Sequence, residues 1–280
     1  MMASPPTLAT LPLLCIQLIA GYITNERDLR SLRCVSKQLA NACPEPGTRC
    51  LIIKDNNINV LSRLKRLKLL QYVKKLNISG NKKVTDVSTL AGIQELDMTW
   101  CTGVTDVSAL AGIKELHIAF CFRVTDVSAL AGIKVLDMDG CTGVTEVSAL
   151  AGIQVLNMDG CTGVTDVSAL AGIKKLIMRG CERVADLSAL AGIQYLYMSG
   201  CSRVTDVSAL AGIQKLDMYG CTGVTDVSDL AGIKVLDMRR CIGVTNVSAL
   251  VGIEHLYISE GQQITGLKQL RQAGCYIQER

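Results

Sequence analysis

Cysteines and histidines are the side chains of this sequence that could bind a metal or act as nucleophile and base. The chain has 13 Cys but no Cys-x-x-Cys pair, and such pairs are typical of structural zinc sites. The only two histidines, His117 and His255, lie far apart in the sequence. The sequence therefore predicts no metal centre and no cofactor.

Asp and Ser side chains recur together in the segment Thr125-Asp126-Val127-Ser128, and copies of this segment return at a fixed interval along the chain. A catalytic triad needs one unique convergence of nucleophile, base and orienting group. A pair that is copied along the whole chain indicates a structural role in a turn. We therefore predict that the protein is not an enzyme.

A 20-residue unit underlies this recurrence. Residues 140–153 return at 160–173 with a single change, from Glu146 to Asp166, and the frame continues from Val73 to Gln272 as ten units. Positions are numbered here so that Leu116 and its equivalents occupy position 16 of each unit. A fixed period of this length is typical of a solenoid, in which each unit buries its apolar side by stacking on its neighbours.

Each unit contains the elements of one short strand and one return turn. Leu116 and Ile118 are two residues apart, so both point inward from an extended segment, while positions 15, 17 and 19 face solvent. We expect positions 16 and 18 to form two buried ladders along the stack. Asp126 or Ser128 can cap a short 3₁₀ turn, and Gly132 can end it in the left-handed conformation.

The unit Ile113-x-x-Leu116-x-Ile118-x-x-Cys121-x-x-Val124 resembles the leucine-rich repeat, and most closely its cysteine-containing subfamily. Internalin-type repeats share the Thr-Asp-x-Ser-x-Leu return but carry Asn at the cysteine position, as Asn81 does in the first unit here. The resemblance implies an α/β solenoid: a horseshoe with one short parallel strand per unit and a concave strand face.

Eight cysteines fall at the same position of consecutive units: Cys101, Cys121, Cys141, Cys161, Cys181, Cys201, Cys221 and Cys241. A column of inward cysteines behaves as small buried hydrophobic residues with weak S–H donors. Free buried thiols are typical of a reducing compartment. We therefore expect a cytoplasmic or nuclear protein.

The N-terminal segment 1–43 has a different pattern. Residues 8–23 are apolar, but they lack a basic n-region and are too short to span a membrane, so we expect neither a signal peptide nor a membrane anchor. Instead, two amphipathic helical patterns flank the polar segment 24–27. Such helices could cover the open end of the solenoid as a cap.

The same segment also resembles an F-box. The matching residues are Leu11-Pro12, Ile19, Tyr22-Ile23, Asp28-Leu29, Leu32, Val35-Ser36-Lys37 and Leu39. Leu13-Leu14 replaces the usual polar pair, and Leu39 stands where an aromatic residue is common. The resemblance implies that Leu11, Pro12, Ile16 and Ile19 bind the adaptor of a cullin-RING ubiquitin ligase. The cap and F-box interpretations can coexist.

Residues 44–72 form a linker with a degenerate first strand at 51–53 and a basic amphipathic helix at 60–72, and residues 273–280 form a C-terminal tail. Residues 1–92 carry 14 Lys or Arg against 5 Asp or Glu, whereas residues 93–280 carry 15 against 20. A basic run can be a nuclear signal or a nucleic-acid patch. The run at 63–83 lacks interleaved aromatic residues, so we interpret it as a solvated helix face and expect no nucleic-acid partner.

Function is predicted from the solvent-facing positions, which vary while the frame is constant. The candidate partner-binding residues on the concave face are Trp100, His117, Phe120, Asp137, Asp159, Arg179, Tyr195, Tyr197, Tyr219, Arg239 and Tyr257. Tyr, Trp and Arg are common anchors of protein interfaces, although drift of duplicated units could also produce such variation. The pattern favours a monomeric interaction scaffold. It is either an F-box-like substrate receptor of a ubiquitin ligase or a ligase-independent leucine-rich repeat protein with a helical cap.

Overall fold

The computed structural model of the protein describes residues 50–52 and 73–279. The N-terminal segment 1–43, on which the F-box and cap interpretations rest, lies outside the described residues. So do most of the 44–72 linker and its predicted helix. The fold described here is therefore that of the repeat region with one strand before it.

Short strands stack in chain order into one parallel sheet. The described residues contribute twelve strands: β1 Cys50–Ile52, β2 Lys75–Asn77, β3 Glu95–Asp97, β4 Glu115–His117, β5 Val135–Asp137, β6 Val155–Asn157, β7 Lys175–Ile177, β8 Tyr195–Tyr197, β9 Lys215–Asp217, β10 Val235–Asp237, β11 His255–Ile258 and β12 Tyr276–Glu279. From β2 to β11, the register places each residue beside its equivalent in the next unit, as Leu96 beside Leu116. Equivalent side chains of successive units therefore form a column along the axis of the stack.

The predicted inward ladders are confirmed. Leu116 and Ile118 have no exposed surface, and the equivalent Leu, Ile and Met residues are buried along the described stack. The same core receives Val124 and Leu130 from the return segment. Each of these side chains contributes ~1.5–3 kcal/mol when it leaves water, and the neighbouring coils supply much of the covering surface.

The return segment is a single 3₁₀ turn, as the short repeat period predicts. In a typical coil this turn spans Ser128–Leu130. The carboxylate of Asp126 accepts a hydrogen bond from the backbone N–H of Ser128 at 2.8 Å, which satisfies a donor that the turn leaves free. Gly132 then reverses the chain with φ +83°, a conformation that costs glycine little.

The ladder cysteines are buried free thiols. Each Sγ donates to a backbone carbonyl in the preceding coil, as Cys161 does to Met138 at 3.3 Å and Cys241 does to Met218 at 3.0 Å. The thiol column therefore links each of the eight cysteine-containing coils to the one before it. The repeated strand, the 3₁₀ return and the thiol column together make this an α/β solenoid of the leucine-rich repeat type with a cysteine ladder.

The C-terminal segment corrects one prediction. The sequence predicts a tail at 273–280, but α1, Leu267–Gln272, and β12 form an atypical last coil. In this coil Ile277 pairs in register with Leu256, and Leu270 and Cys275 join the core. The segment folds because its apolar residues cover the otherwise open end of the stack.

At the N-terminal end, β1 pairs in parallel with β2. This strand begins and ends one position before the predicted strand at 51–53. Within the described residues, none of the helices has the length and apolar character needed to cross a membrane.

We expect the thiol column to make stability sensitive to alkaline pH. Burial raises the pKa of Cys121 from 9.0 to about 11 and that of Cys141 to about 12. Stability from the neutral thiols is therefore complete below pH 9, the unfolded value, and is lost as pH rises through 9 toward 11–12. We expect a loss of about 1 kcal/mol per thiol per pH unit in this window, measured by chemical unfolding between pH 8 and 10.5.

A Cys141→Ala/Cys161→Ala variant is the matched control, because it removes two of the titrating groups. Its unfolding free energy should fall less steeply with pH than that of the native chain. A native chain with equal stability at pH 8 and 10.5 would contradict the buried ladder.

Candidate functional site

The candidate site is the solvent side of the sheet, called the sheet face here and defined by positions 15, 17, 19 and 20 of the coils. None of the eleven predicted partner-binding side chains is buried. Trp100 and Tyr195 are exposed, and the partly exposed members are His117, Phe120, Asp137, Asp159, Arg179, Tyr197, Tyr219, Arg239 and Tyr257. For the members that lie on strands, at positions 15 and 17, strand alternation produces this exposure, since the residue between them points into the core. The other members follow the strands at positions 19 and 20.

His117 lies between two carboxylates on the N-terminal half of the sheet face. Its Nε2 is 3.0 Å from Glu115 Oε1, and its Nδ1 is 3.6 Å from Asp137 Oδ2. Hydrogen bonding to Asp137 and Glu115 raises the pKa of His117 to about 9, against a smaller opposing effect of burial. The raised pKa favours the cationic imidazolium at neutral pH.

The acidic residues of this half continue beyond His117. Burial raises the pKa of Asp139, and the carboxylates of Asp159 and Asp137 add to the effect. Asp159 is 3.6 Å from Arg179 Nη1, but among the described residues no cation forms an ion pair with Asp139. The N-terminal half thus presents negative charge that its own side chains only partly neutralise.

The C-terminal half presents cations around Tyr197. Lys175 Nζ, Arg179 Cζ and Lys215 Nζ lie 5.9, 5.1 and 5.3 Å from the centre of its ring, within the range of cation–π attraction. Arg179 also contacts Asp217 at 3.4 Å. In the described part of the chain, no carboxylate pairs with either lysine.

Arg239 is the centre of a second cluster of side chains on the C-terminal half of the sheet face. Its guanidinium is held by Asp237, with Nε 2.9 Å from Oδ1 and Nη2 2.5 Å from Oδ2. The same guanidinium lies 5.5 Å from the ring centre of Tyr219 and 5.9 Å from that of Tyr257. Three of the predicted residues are thereby brought into one cluster by a carboxylate that the prediction omitted.

An aromatic cluster lies at the N-terminal half, where the chain leaves the strands. The rings of Trp100 and Phe120 stack with centroids 4.3 Å apart and an interplanar angle of 17°. Phe122 meets both rings edge-on, at 5.9 and 6.1 Å. Phe122 is absent from the predicted set. Its signal is nevertheless present in the sequence, because the only Trp and both Phe of the chain fall close together at positions 100, 120 and 122.

Polar side chains in a shallow part of the sheet face bind one another. Among the described residues, no group of three or more His, Cys, Asp or Glu is placed to hold a metal ion. A shallow depression in the sheet face is lined by Asn77, Glu95, Asp97, Thr99 and His117, among others. Its polar residues bind one another, as Asn77 Nδ2 binds Asp97 Oδ2 at 2.8 Å.

Comparisons with known proteins add little to this geometry. No protein-family profile matches the chain, and no curated protein does. A solved structure of the functional domain of InlJ from Listeria monocytogenes, which includes a cysteine ladder, is similar with a TM-score of 0.44 and 17% sequence identity. The alignment covers 79% of this chain and 60% of that domain.

The environment of His117 predicts its titration. Because the folded pKa is raised, the stability that it contributes is complete below its unfolded pKa, near 6.5, and is lost as pH rises toward about 9. An NMR titration should show this ring changing charge well above pH 6.5. The His117→Gln variant assigns the signal, since His255 is then the only histidine. Titration of His117 at or below pH 6.5 would contradict its placement between Glu115 and Asp137.

Proposed function

We propose that the protein is an interaction scaffold that holds a protein partner on its sheet face, which the sequence predicts to be concave. The observation that carries this proposal is the contrast between a constant buried frame and a varied, aromatic and charged exposed row. Coil after coil repeats the buried Leu, Met and Cys residues, while position 17 changes from Asp137 to Ile177 to Tyr197. Aromatic and charged residues in such a row are common anchors of protein interfaces.

The division of charge supports a specific partner. Acidic side chains such as Glu115, Asp137 and Asp139 occupy the N-terminal half, and Lys175, Lys215 and other cations surround tyrosines in the C-terminal half. Complementary charge selects partners and sets their orientation. A partner with the reverse distribution, basic toward β3 and acidic toward β10, would match both halves.

We further propose that this scaffold is an F-box-like substrate receptor of a cullin-RING ubiquitin ligase. The support is the Leu11-Pro12 motif and the Asp28-Leu29 pattern, placed directly before cysteine-type repeats. In this role Leu11, Pro12, Ile16 and Ile19 bind the adaptor while the sheet face binds the target. The free thiols of the ladder fit a cytoplasmic or nuclear location. The alternative function is a ligase-independent binding or regulatory protein, in which residues 1–43 are only a cap.

Partner binding on the sheet face can be tested with Tyr195→Ala, Tyr197→Ala and Tyr219→Ala combined. The three side chains lie outside the core, so the melting temperature should stay nearly unchanged. Affinity for the co-purifying partner, identified by mass spectrometry, should fall by on the order of 2 kcal/mol or more. The matched control is Ile242→Thr, an exposed change outside positions 15, 17, 19 and 20, which define the sheet face. Unfolding of the triple variant, or undiminished binding, would contradict the assignment of this face.

The ligase role can be tested with Leu11→Ala combined with Pro12→Ala. F-box residues that bind an adaptor are exposed in the free chain, so the pair should abolish adaptor pull-down without lowering the melting temperature. In a cap, the same residues would be buried, each contributing ~1.5–3 kcal/mol, and the change would destabilise the first repeats. Absence of adaptor from the native complex, together with such destabilisation, would leave the ligase-independent scaffold.

A further inference from the structure

The aromatic cluster, defined as Trp100, Phe120 and Phe122, collects the only Trp and both Phe of the chain in one place. These are the side chains that bury the most apolar surface, yet they are not in the core. Trp100 and Phe122 are each 43% exposed. The core is filled by smaller aliphatic residues instead, so the solenoid does not depend on this cluster for its packing.

Two cluster members also occupy backbone positions that disfavour them. Trp100 and Phe120 have φ of +63° and +60°, a left-handed conformation in which a side chain is unfavourable. The equivalent residues of six other coils are glycines with positive φ: Gly80, Gly140, Gly160, Gly180, Gly200 and Gly220. One further coil has Arg240 there, also with positive φ. The cluster is therefore kept at positions where the repeat itself is better served by glycine.

The neighbouring coil accommodates the rings. A Cβ added to Gly140 would lie 2.8 Å from Phe120 Cδ1, so the Phe120 ring rests on a glycine backbone. Ring stacking offsets part of the backbone strain. It does not account for the outward faces of Trp100 and Phe122, which remain in water.

The charge of the neighbouring side chains indicates what the exposed faces of Trp100 and Phe122 would bind. The backbone N–H of Phe120 donates to the carbonyl of Asp139 at 2.7 Å, which places the cluster beside the acidic half of the sheet face. Asp139 has no cationic partner among the described residues, and Asp137 and Asp159 crowd it.

We infer that Trp100, Phe120 and Phe122 anchor an arginine-containing segment of the protein partner. This inference rests on the proposed binding function of the sheet face. A guanidinium stacks on aromatic rings and pairs with carboxylates at the same time. The exposed rings and the unpaired Asp139 supply those two surfaces side by side.

The test uses the full chain and two fluorescein-labelled twelve-residue peptides of Gly, Ser and Leu, one with four Arg and one with four Glu. The Arg peptide should bind with increased anisotropy, change the emission of Trp100, the only tryptophan, and dissociate as salt rises. The Glu peptide should bind the cluster at least about tenfold more weakly. Equal binding of the two peptides would overturn the inference.

Replacing cluster residues with the residue common at that position in other coils separates an effect on peptide binding from an effect on folding. Trp100→Gly and Phe122→Thr should each weaken the Arg peptide by roughly tenfold or more, while Trp100→Gly keeps or raises the melting temperature. Ile242→Thr is the matched control, because Ile242 is an exposed apolar residue at the position equivalent to Phe122 in a distant coil. Unchanged peptide affinity in Trp100→Gly would overturn the inference. So would a dimer of the native chain that dissociates in this variant, since a second copy would then be the occupant.

Capture of the partner by these variants distinguishes a wrong arginine anchor from a wrong binding role of the sheet face. If the tyrosine variant loses the co-purifying partner while Trp100→Gly and Phe122→Thr retain it, the sheet face binds a partner and only the arginine anchor is wrong. If none of these variants affects capture of the partner, the binding role of the sheet face itself is wrong.

Discussion

Contact between adjacent coils is the interaction on which the rest of this structure depends. A single coil has too few side chains to enclose its own Leu116, Ile118 and Cys121, and these residues are fully buried because the coils on either side cover them. The thiol of Cys121 donates to the carbonyl of Met98 in the preceding coil at 3.3 Å. Stability is therefore shared between neighbours, and an irregular end coil is needed wherever the stack stops.

The contacts between coils leave the exposed positions free to vary in sequence. Because positions 16 and 18 and the cysteine supply the packing, positions 15, 17 and 19 can change with little effect on the fold. The consequence is visible in the sheet face, where His117 is held by Glu115 and Asp137 in one half, and Tyr197 is surrounded by Lys175 and other cations in the other half. A regular frame with a variable surface is consistent with the proposed binding of a protein partner.

Departures from regularity carry the most functional information. Trp100 and Phe120 accept left-handed backbone where six other coils have glycine, and they do so beside uncompensated acidic charge. The last coil departs for a different reason, since Leu270 and Ile277 close the apolar end of the solenoid. The first kind of departure is the basis of the inferred arginine anchor, and the second concerns stability.

Much of the fold could be predicted from the sequence, because ten consecutive units share the same pattern of residues. The inward direction of Leu116 and Ile118, the turn capped by Asp126 and the left-handed Gly132 all follow from local spacing, and the structure confirms each of them. The eleven predicted partner-binding residues are all at least partly exposed for the same reason, although their role stays a proposal. Local patterns suffice here because each coil repeats the same short-range geometry.

The sequence by itself thus determined the solenoid, its ladders and the exposed rows. Only the tertiary structure decided which exposed side chains meet. Lys175 and Lys215 reach the ring of Tyr197 from the coils before and after it, and Phe122 joins Trp100 across neighbouring coils. The tertiary structure also placed β12 within the segment 273–280 that the sequence predicts to be a tail. The physical reason is that these contacts depend on the spatial register of the coils and on side-chain conformation, which a linear spacing does not specify.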